Sequence, residues 1–402
     1  MNTTDPTASI DCPATAVPEA VVETLEACLG EADRPIPLHK PTFEGNEGEY
    51  VQECIDTEWV SSAGSYVDRF EEDLANYTGA ERAVVVVNGT AALHVSLRLA
   101  GVRDGDEVLV PALSFVATAN AVSYTGATPH FVDSEERTLG LDPEKLGNYL
   151  DDIAEVREGT CVNVQTGRSI KAVVPMHAYG HPVDLDPLQV VCEGYNLALV
   201  EDAAESLGSL YMGQHTGTMG RLGALSFNGN KTITTGGGGA ILTNDEDLAD
   251  RAKHLTTVAK KDHPWEYFHD QVGYNYRMPN LNAALGCAQL EQMPSLLERK
   301  RALAERYRQA FADVEGVSFF EERDEARSNY WLNVLLLEEE KQEKRDAVLE
   351  ATNDAGFGTR PTWQLLSSLP MYEDCPRMDL STAESLERRL INIPGTPSLV
   401  NA

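Results

Sequence analysis

Ala83-Val-Val-Val-Val-Asn-Gly-Thr-Ala-Ala-Leu-His-Val-Ser-Leu-Arg-Leu99 sets a strand, a turn and a helix end to end. The β-branched run Val84 to Val87 has no polar alternation, which marks a strand buried on both faces. Asn88-Gly89-Thr90 then turns the chain into an apolar helix from Ala91 to Leu99. The same rhythm returns further along. Glu107-Val-Leu-Val110 leads into Pro111 to Thr118, and Thr128 to Val132, Ile170 to Pro175, Leu197 to Val200, Ala224 to Phe227 and Ala240 to Thr243 are further short apolar runs. Buried strands separated by helical patterns predict an α/β fold with a mainly parallel sheet covered by helices on both faces. Ligands of such sheets bind beyond the carboxyl ends of the strands. Gly89, Thr90, Phe115, Asp202 and Lys231 all fall at or just after those ends.

The strand from Ala224 runs through Asn-Gly-Asn to Lys231 and then meets Thr-Ile-Thr-Thr followed by four glycines ending at Gly239. Consecutive glycines let backbone approach a bound group or adopt positive φ. A lysine held away from bulk water is enriched in the free amine that condenses with carbonyls. Taken alone, Lys231 also fits a solvated lysine beside a Gly-rich turn. Asn88-Gly89-Thr90 offers N–H groups and a helix dipole to an anion such as a phosphate, or simply a Thr N-cap. Glu201-Asp202-Ala-Ala-Glu205 places carboxylates at a strand tip, where they can partner a protonated ring nitrogen or merely favour a helix N-terminus. His177 and Tyr179 follow another strand end and are candidates for the same cleft. Gly273-Tyr-Asn275-Tyr-Arg277 packs aromatics, an amide and a guanidinium into a loop suited to an interface or to anion recognition.

Composition removes other classes. The 402 residues carry 64 acidic and 32 basic side chains, a formal charge of −32, which excludes a nucleic-acid-coating surface. The acid is dispersed, as expected of a solvating surface adapted to high salt. The seven cysteines are widely spaced and include no CxxC pair, so neither a zinc site nor a disulfide framework is expected. No basic leader or membrane-length apolar run occurs, which predicts a cytoplasmic, soluble protein. The chain lacks GxxxxGK[ST] and GxGxxG, disfavouring nucleoside triphosphate and nicotinamide chemistry. Residues 1–35 are read as an N-terminal extension, with a mobile end to Ala16 and an accessory helix from Pro18 to Leu29. Residues 36–289 form the large sheet domain and residues 290–402 a small α+β domain. A long helix from Leu281 to about Ala312, interrupted near Pro294, leads into the latter, which contains a strand from Tyr330 to Leu337, a helix from Lys341 to Ala355 and a final segment, Leu386 to Ile393.

Taken together, Asn88-Gly-Thr-Ala91, Pro111 to Thr118, Glu201 to Glu205, Ser226 to Lys231 with its glycine run, and Gly273 to Arg277 resemble the DegT/DnrJ/EryC1/StrS sugar aminotransferases from about residue 36 onward. The resemblance implies fold type I, similar to aspartate aminotransferase, with pyridoxal phosphate held in the large domain. It implies that Lys231 bonds to the cofactor and shuttles a proton, and that Asp202 pairs with the pyridine nitrogen. Glu205 then lies near the phenolic oxygen, Phe115 stacks on the ring, and Gly89, Thr90 and Ser226 hold the phosphate. Asn275 matches a residue that reaches the phosphate of a partner subunit, so a homodimer is implied. Relatives often carry His-Pro or His-Lys where Asn228-Gly229 stands here. His177, Tyr179 and Arg277 are candidates for substrate contact. The implied substrates are glutamate and a keto-sugar nucleotide. Ile36 to Asn46, Trp59-Val-Ser-Ser-Ala-Gly64 and the N-terminal helix resemble the legionaminic acid branch, which implies amination at C4 of a 4-keto-6-deoxy-N-acetylhexosamine nucleotide. A catalytically silent sugar-nucleotide binder is the competing class, and the complete set of Asp202, Ser226 and Lys231 argues against it.

Overall fold

A computed structural model of the chain describes residues 17–30 and 32–401. The end from Met1 to Ala16 lies outside the described residues. The principal sheet has nine strands, seven of them in the spatial order 82–86, 239–243, 222–226, 198–202, 169–173, 107–111 and 128–132. Neighbours from 222–226 through to 128–132 are parallel, whereas 239–243 runs antiparallel to both of its partners. The reversal has a consequence for the site. The first residue of 239–243 lies on the sheet edge where its two neighbours end, with Gly239 in register with Val86 on one side and Ser226 on the other.

These strands form because they are apolar on both faces. The 107–111 strand is buried throughout, and the helices Gly89–Leu99, Val116–Tyr124 and Glu246–Thr256 supply much of one apolar layer. The opposite face packs against Ser65–Thr78 and Asn280–Glu291, where Phe70 and Phe227 meet with ring centroids 5.2 Å apart. Burying a side chain of that size contributes roughly 1.5–3 kcal/mol.

The long helix expected near Pro294 is two helices, Asn280–Glu291 and Met293–Phe311. The strand expected from Tyr330 begins at Asn333, because Tyr330 takes a φ of 46° and Asn329 holds the Trp331 N–H, which removes these residues from the ladder. Helix Val17–Leu29 buries Val21, Leu25, Cys28 and Leu29 in one cluster with Leu303, Tyr307, Phe311 and Ile391. The accessory helix thus completes the core of the C-terminal part. A four-stranded sheet there has the order 317–319, 333–337, 390–393, 360–361. Among the described residues no helix is long and apolar enough to cross a membrane.

Candidate active site

Five strand ends and the start of the reversed strand converge on a cavity of about 290 Å³. Asn88, Gly89 and Thr90 line it from the first helix, Phe115 from the second, and Asp202, Glu205, Ser226, Lys231 and Gly238 from the following loops. Trp331 and Trp363 close it from the C-terminal part.

The helix Gly89–Leu99 is capped by Asn88, whose Oδ1 accepts from the Ala91 N–H at 2.8 Å. Asn88 rather than Thr90 is therefore the N-cap. The N–H groups of Gly89 and Thr90 belong to the first turn and have no partner inside the helix, so they are open to an anion at the positive end of the dipole. Gly89 is required by its neighbour, since a Cβ there would stand 2.9 Å from the Ser226 Cβ. Gly239 is held more tightly: a Cβ would lie 2.6 Å from the Asn88 carbonyl carbon and 2.7 Å from the Gly89 nitrogen. Gly236 supplies a φ of 77° for the turn between Lys231 and the strand. The glycine run thus lets three backbone segments meet around one small space.

Lys231 stands beyond the strand, which ends at Ser226. A turn closed by the Lys231 N–H to the Asn228 carbonyl, at 3.0 Å, carries it. Phe227 anchors that turn through its own N–H to Gly238 and its carbonyl to the Thr235 N–H. The lysine Nζ lies 3.1 Å from Glu205 Oε1 and 3.8 Å from the Trp331 ring centroid, with the side chain 13% exposed. Glu205 is buried, and its second oxygen accepts from the Tyr179 N–H at 2.9 Å. Burial raises the Glu205 pKa, and the nearby Lys231 charge opposes that rise. Asp202 is also buried; its Oδ2 accepts from the Thr118 hydroxyl at 2.7 Å and its Oδ1 from the Ala204 N–H at 3.2 Å. Burial raises its pKa too, against the pull of Thr118, the Ala204 N–H and Lys231. A positively charged ring nitrogen would offset the desolvation that disfavours this carboxylate.

Four sequence candidates do not line the cavity. His177 is fully buried, with Nε2 3.0 Å from Glu201 Oε2 and Nδ1 accepting from the Val183 N–H. Both ring nitrogens are engaged, so it is a core histidine that braces the Asp202 strand end. Arg277 donates to the Ser62 carbonyl at 2.7 Å and does not line the cavity. Tyr179 is buried, with its ring stacked on Trp363 at 4.7 Å and its hydroxyl 2.5 Å from Thr362 Oγ1, so it supports the wall. Asn275 is exposed and lies outside the cavity of its own chain. Trp331, Trp363 and Thr118 are site residues that the sequence reading missed. The two tryptophans reach the cavity from segments separated from Lys231 by 100 or more residues, and no local pattern signals that. Thr118 lay inside a quoted motif, and its spacing one helical turn after Ser114, to which it bonds at 2.8 Å, was the available signal.

Fold and site together define a fold type I enzyme centred on a lysine amine. A sequence profile of the DegT/DnrJ/EryC1/StrS aminotransferase family matches residues 41–402, and the chain belongs to that family. It is 39% identical over 368 residues to the GDP-perosamine synthase of Escherichia coli O157:H7, covering 91% of this chain and 94% of that protein. The aminotransferase TlmJ of Streptoalloteichus hindustanus superposes with a TM-score of 0.80 at 30% identity, covering 89% of this chain and 93% of that one. A Streptococcus pneumoniae protein described as a sugar aminotransferase, solved in its PLP form, superposes with a TM-score of 0.80 at 25% identity, covering 90% and 93%. The protein is accordingly a sugar aminotransferase that depends on pyridoxal phosphate. The cavity fits that group: an open helix N-terminus, a buried carboxylate and a lysine amine surround one glycine-lined space.

Proposed function

We propose that the protein moves an amino group from glutamate to the C4 keto carbon of a 4-keto-6-deoxyhexose carried on a nucleotide. The observation that carries this reading is the Lys231 amine, set 3.1 Å from a buried carboxylate in a cavity that Asp202 and the first turn of a helix also line. Pyridoxal phosphate supplies an aldehyde that accepts the amino group and a ring that draws electron density from the carbon being deprotonated. Gly89, Thr90 and Ser226 would hold its phosphate, Asp202 would pair with its ring nitrogen, and Phe115, half exposed at the cavity wall, would cover a ring face. Lys231 Nζ would take the proton leaving the donor's α-carbon and deliver it to the carbon that carried the cofactor's aldehyde, and Glu205 would keep the free amine in place between those events. Asn275 contributes to the corresponding site of a second subunit in a homodimer.

Similarity to a GDP-perosamine synthase supports a GDP-linked hexose without the N-acetyl group. The competing substrate is the N-acetylated 4-keto sugar of legionaminic acid synthesis, favoured by Ile36 to Asn46 and Trp59 to Gly64. Nucleic acid is no partner for a chain of charge −32. The same charge supports a protein working in high salt. The decisive experiment assays both keto sugars with glutamate. Purified protein should be yellow, and borohydride should fix the cofactor on the peptide containing Lys231. A colourless protein that stays unmodified when given pyridoxal phosphate overturns the assignment of Lys231, whereas turnover of only the N-acetylated sugar overturns the substrate.

A further inference from the structure

We infer that Trp331 is a positioning residue that holds the free Lys231 amine over Glu205. The inference rests on Lys231 being the reactive amine of the proposed function. The indole face lies 3.8 Å from Nζ, measured to the ring centroid, while Glu205 Oε1 lies 3.1 Å from the same atom. An ammonium over a tryptophan face is attracted by the ring quadrupole, most strongly where water is excluded. Trp331 is 4% exposed and Glu205 also 4%, so the amine rests between two groups that water barely reaches.

The ring cannot turn away. Its Nε1 donates to the Asn230 carbonyl at 2.7 Å, the residue just before Lys231. Its backbone N–H donates to Asn329 Oδ1 at 2.7 Å, and its carbonyl accepts from the buried Lys300 amine at 3.1 Å. Asn329 in turn donates through Nδ2 to the carbonyls of Glu205 and Leu207, both at 2.9 Å. One asparagine therefore fixes the carboxylate segment and the indole segment relative to each other. This setting gives Lys231 Nζ a defined place whenever it is not bonded, instead of a sweep through the cavity.

The charged and titratable groups facing Lys231 are Glu205 at 3.1 Å, Asp202 from the strand end, and His39 from the N-terminal segment, with Lys300 behind Trp331. The test reads the protonation of Lys231 in full-length protein freed of cofactor. Acetic anhydride labels Lys231 only as the free amine, and the pH midpoint of labelling is followed on its peptide by mass spectrometry, with surface lysines as internal standards. Trp331→Leu should lower the midpoint by about one pH unit, and Trp331→Phe, which keeps a weaker ring face, by about half as much. Glu205→Gln should also lower it, which calibrates the assay. A midpoint unchanged or raised in a folded Trp331→Leu protein overturns the inference. If circular dichroism shows that the leucine variant is unfolded, the phenylalanine variant decides by the same rule. The readout needs no sugar substrate, so its failure is separate from failure of the proposed reaction.

Discussion

Thr118 donates its hydroxyl to Asp202 Oδ2 at 2.7 Å with both side chains buried, and Ser114 stands 2.8 Å behind Thr118. The bond stabilises the ionised carboxylate against the desolvation that raises its pKa. Thr118→Val keeps the shape and removes the donor. A hydrogen bond to a charged group contributes about 1.5–3 kcal/mol, so the variant should bind pyridoxal phosphate roughly tenfold or more weakly. The acid limb of its activity profile should move to higher pH, because Asp202 then gains a proton more readily. Cofactor titration by absorbance and a pH–rate profile check this; wild-type values for both would show that Thr118 does not govern Asp202.

Gly239, the first residue of strand 239–243, and Gly229, in the turn before Lys231, have opposite surroundings. A Cβ on Gly239 would fall 2.6 Å from Asn88 backbone, which cannot swing aside, whereas one on Gly229 would meet nothing within 4 Å. Gly239→Ala should therefore cost about 1–3 kcal/mol and displace the Asn88-Gly89 turn, weakening cofactor binding. Gly229→Ala should change stability by less than about 0.5 kcal/mol and leave the cofactor in place. Chemical denaturation and cofactor titration of the pair decide it, and equal behaviour would contradict the close approach.

These two glycines show how far the sequence could be read. The run Gly236 to Gly239 signalled a tight backbone approach, but not that the partner would be the Asn88-Gly89 turn, since that pairing depends on one antiparallel strand inserted among parallel ones. The buried apolar runs located all seven principal strands to within about two residues because burial on both faces leaves a short, mostly apolar run without polar alternation. Asp202, Glu205 and Lys231 were legible because each follows such a run. His177 carried the same signal and is a core residue, since strand-end position does not say which way a side chain turns. Trp331 was hidden inside what read as a strand. Its placement depends on Asn329, which holds the Trp331 N–H and also donates to the Glu205 carbonyl, a link between distant segments that no local pattern shows.

Stability should depend on pH through buried bases. Burial depresses His181 to about 3, helped by Arg301 and Arg323, and His215 to about 4. The unfolded chain takes up protons near 6.5 whereas the folded chain does not, so stability is fullest above that pH and falls as pH drops toward 4. Lys300 acts in another window. Burial lowers it from 10.5 to about 7, so between those values the unfolded state binds the extra proton and stability rises with pH. Urea denaturation of wild type from pH 7 to 8.5 should show that rise and Lys300→Met should flatten it; the window stops short of the pH at which the unfolded chain ionises Cys28, Cys161, Cys192 and Cys287, whose raised pKa values turn the slope downward. A rise of equal slope in the variant would assign it to other groups.

Salt should stabilise the protein, because repulsion outweighs attraction on its surface. Exposed ion pairs such as Arg157 with Glu155, 2.7 Å apart, are worth little and weaken as salt is added. Yet 64 acidic side chains face only 32 basic ones, so many carboxylates have carboxylates among their nearest charges. The screening length falls from about 10 Å at 0.1 M to about 3 Å at 1 M salt, which removes more repulsion than attraction here. The thermal midpoint should climb between about 0.1 M and 1 M in potassium chloride and in sodium chloride alike. A climb seen with sulfate but with neither chloride would instead reflect exclusion of the salt from the protein surface, and the acidic surface would then have a different role.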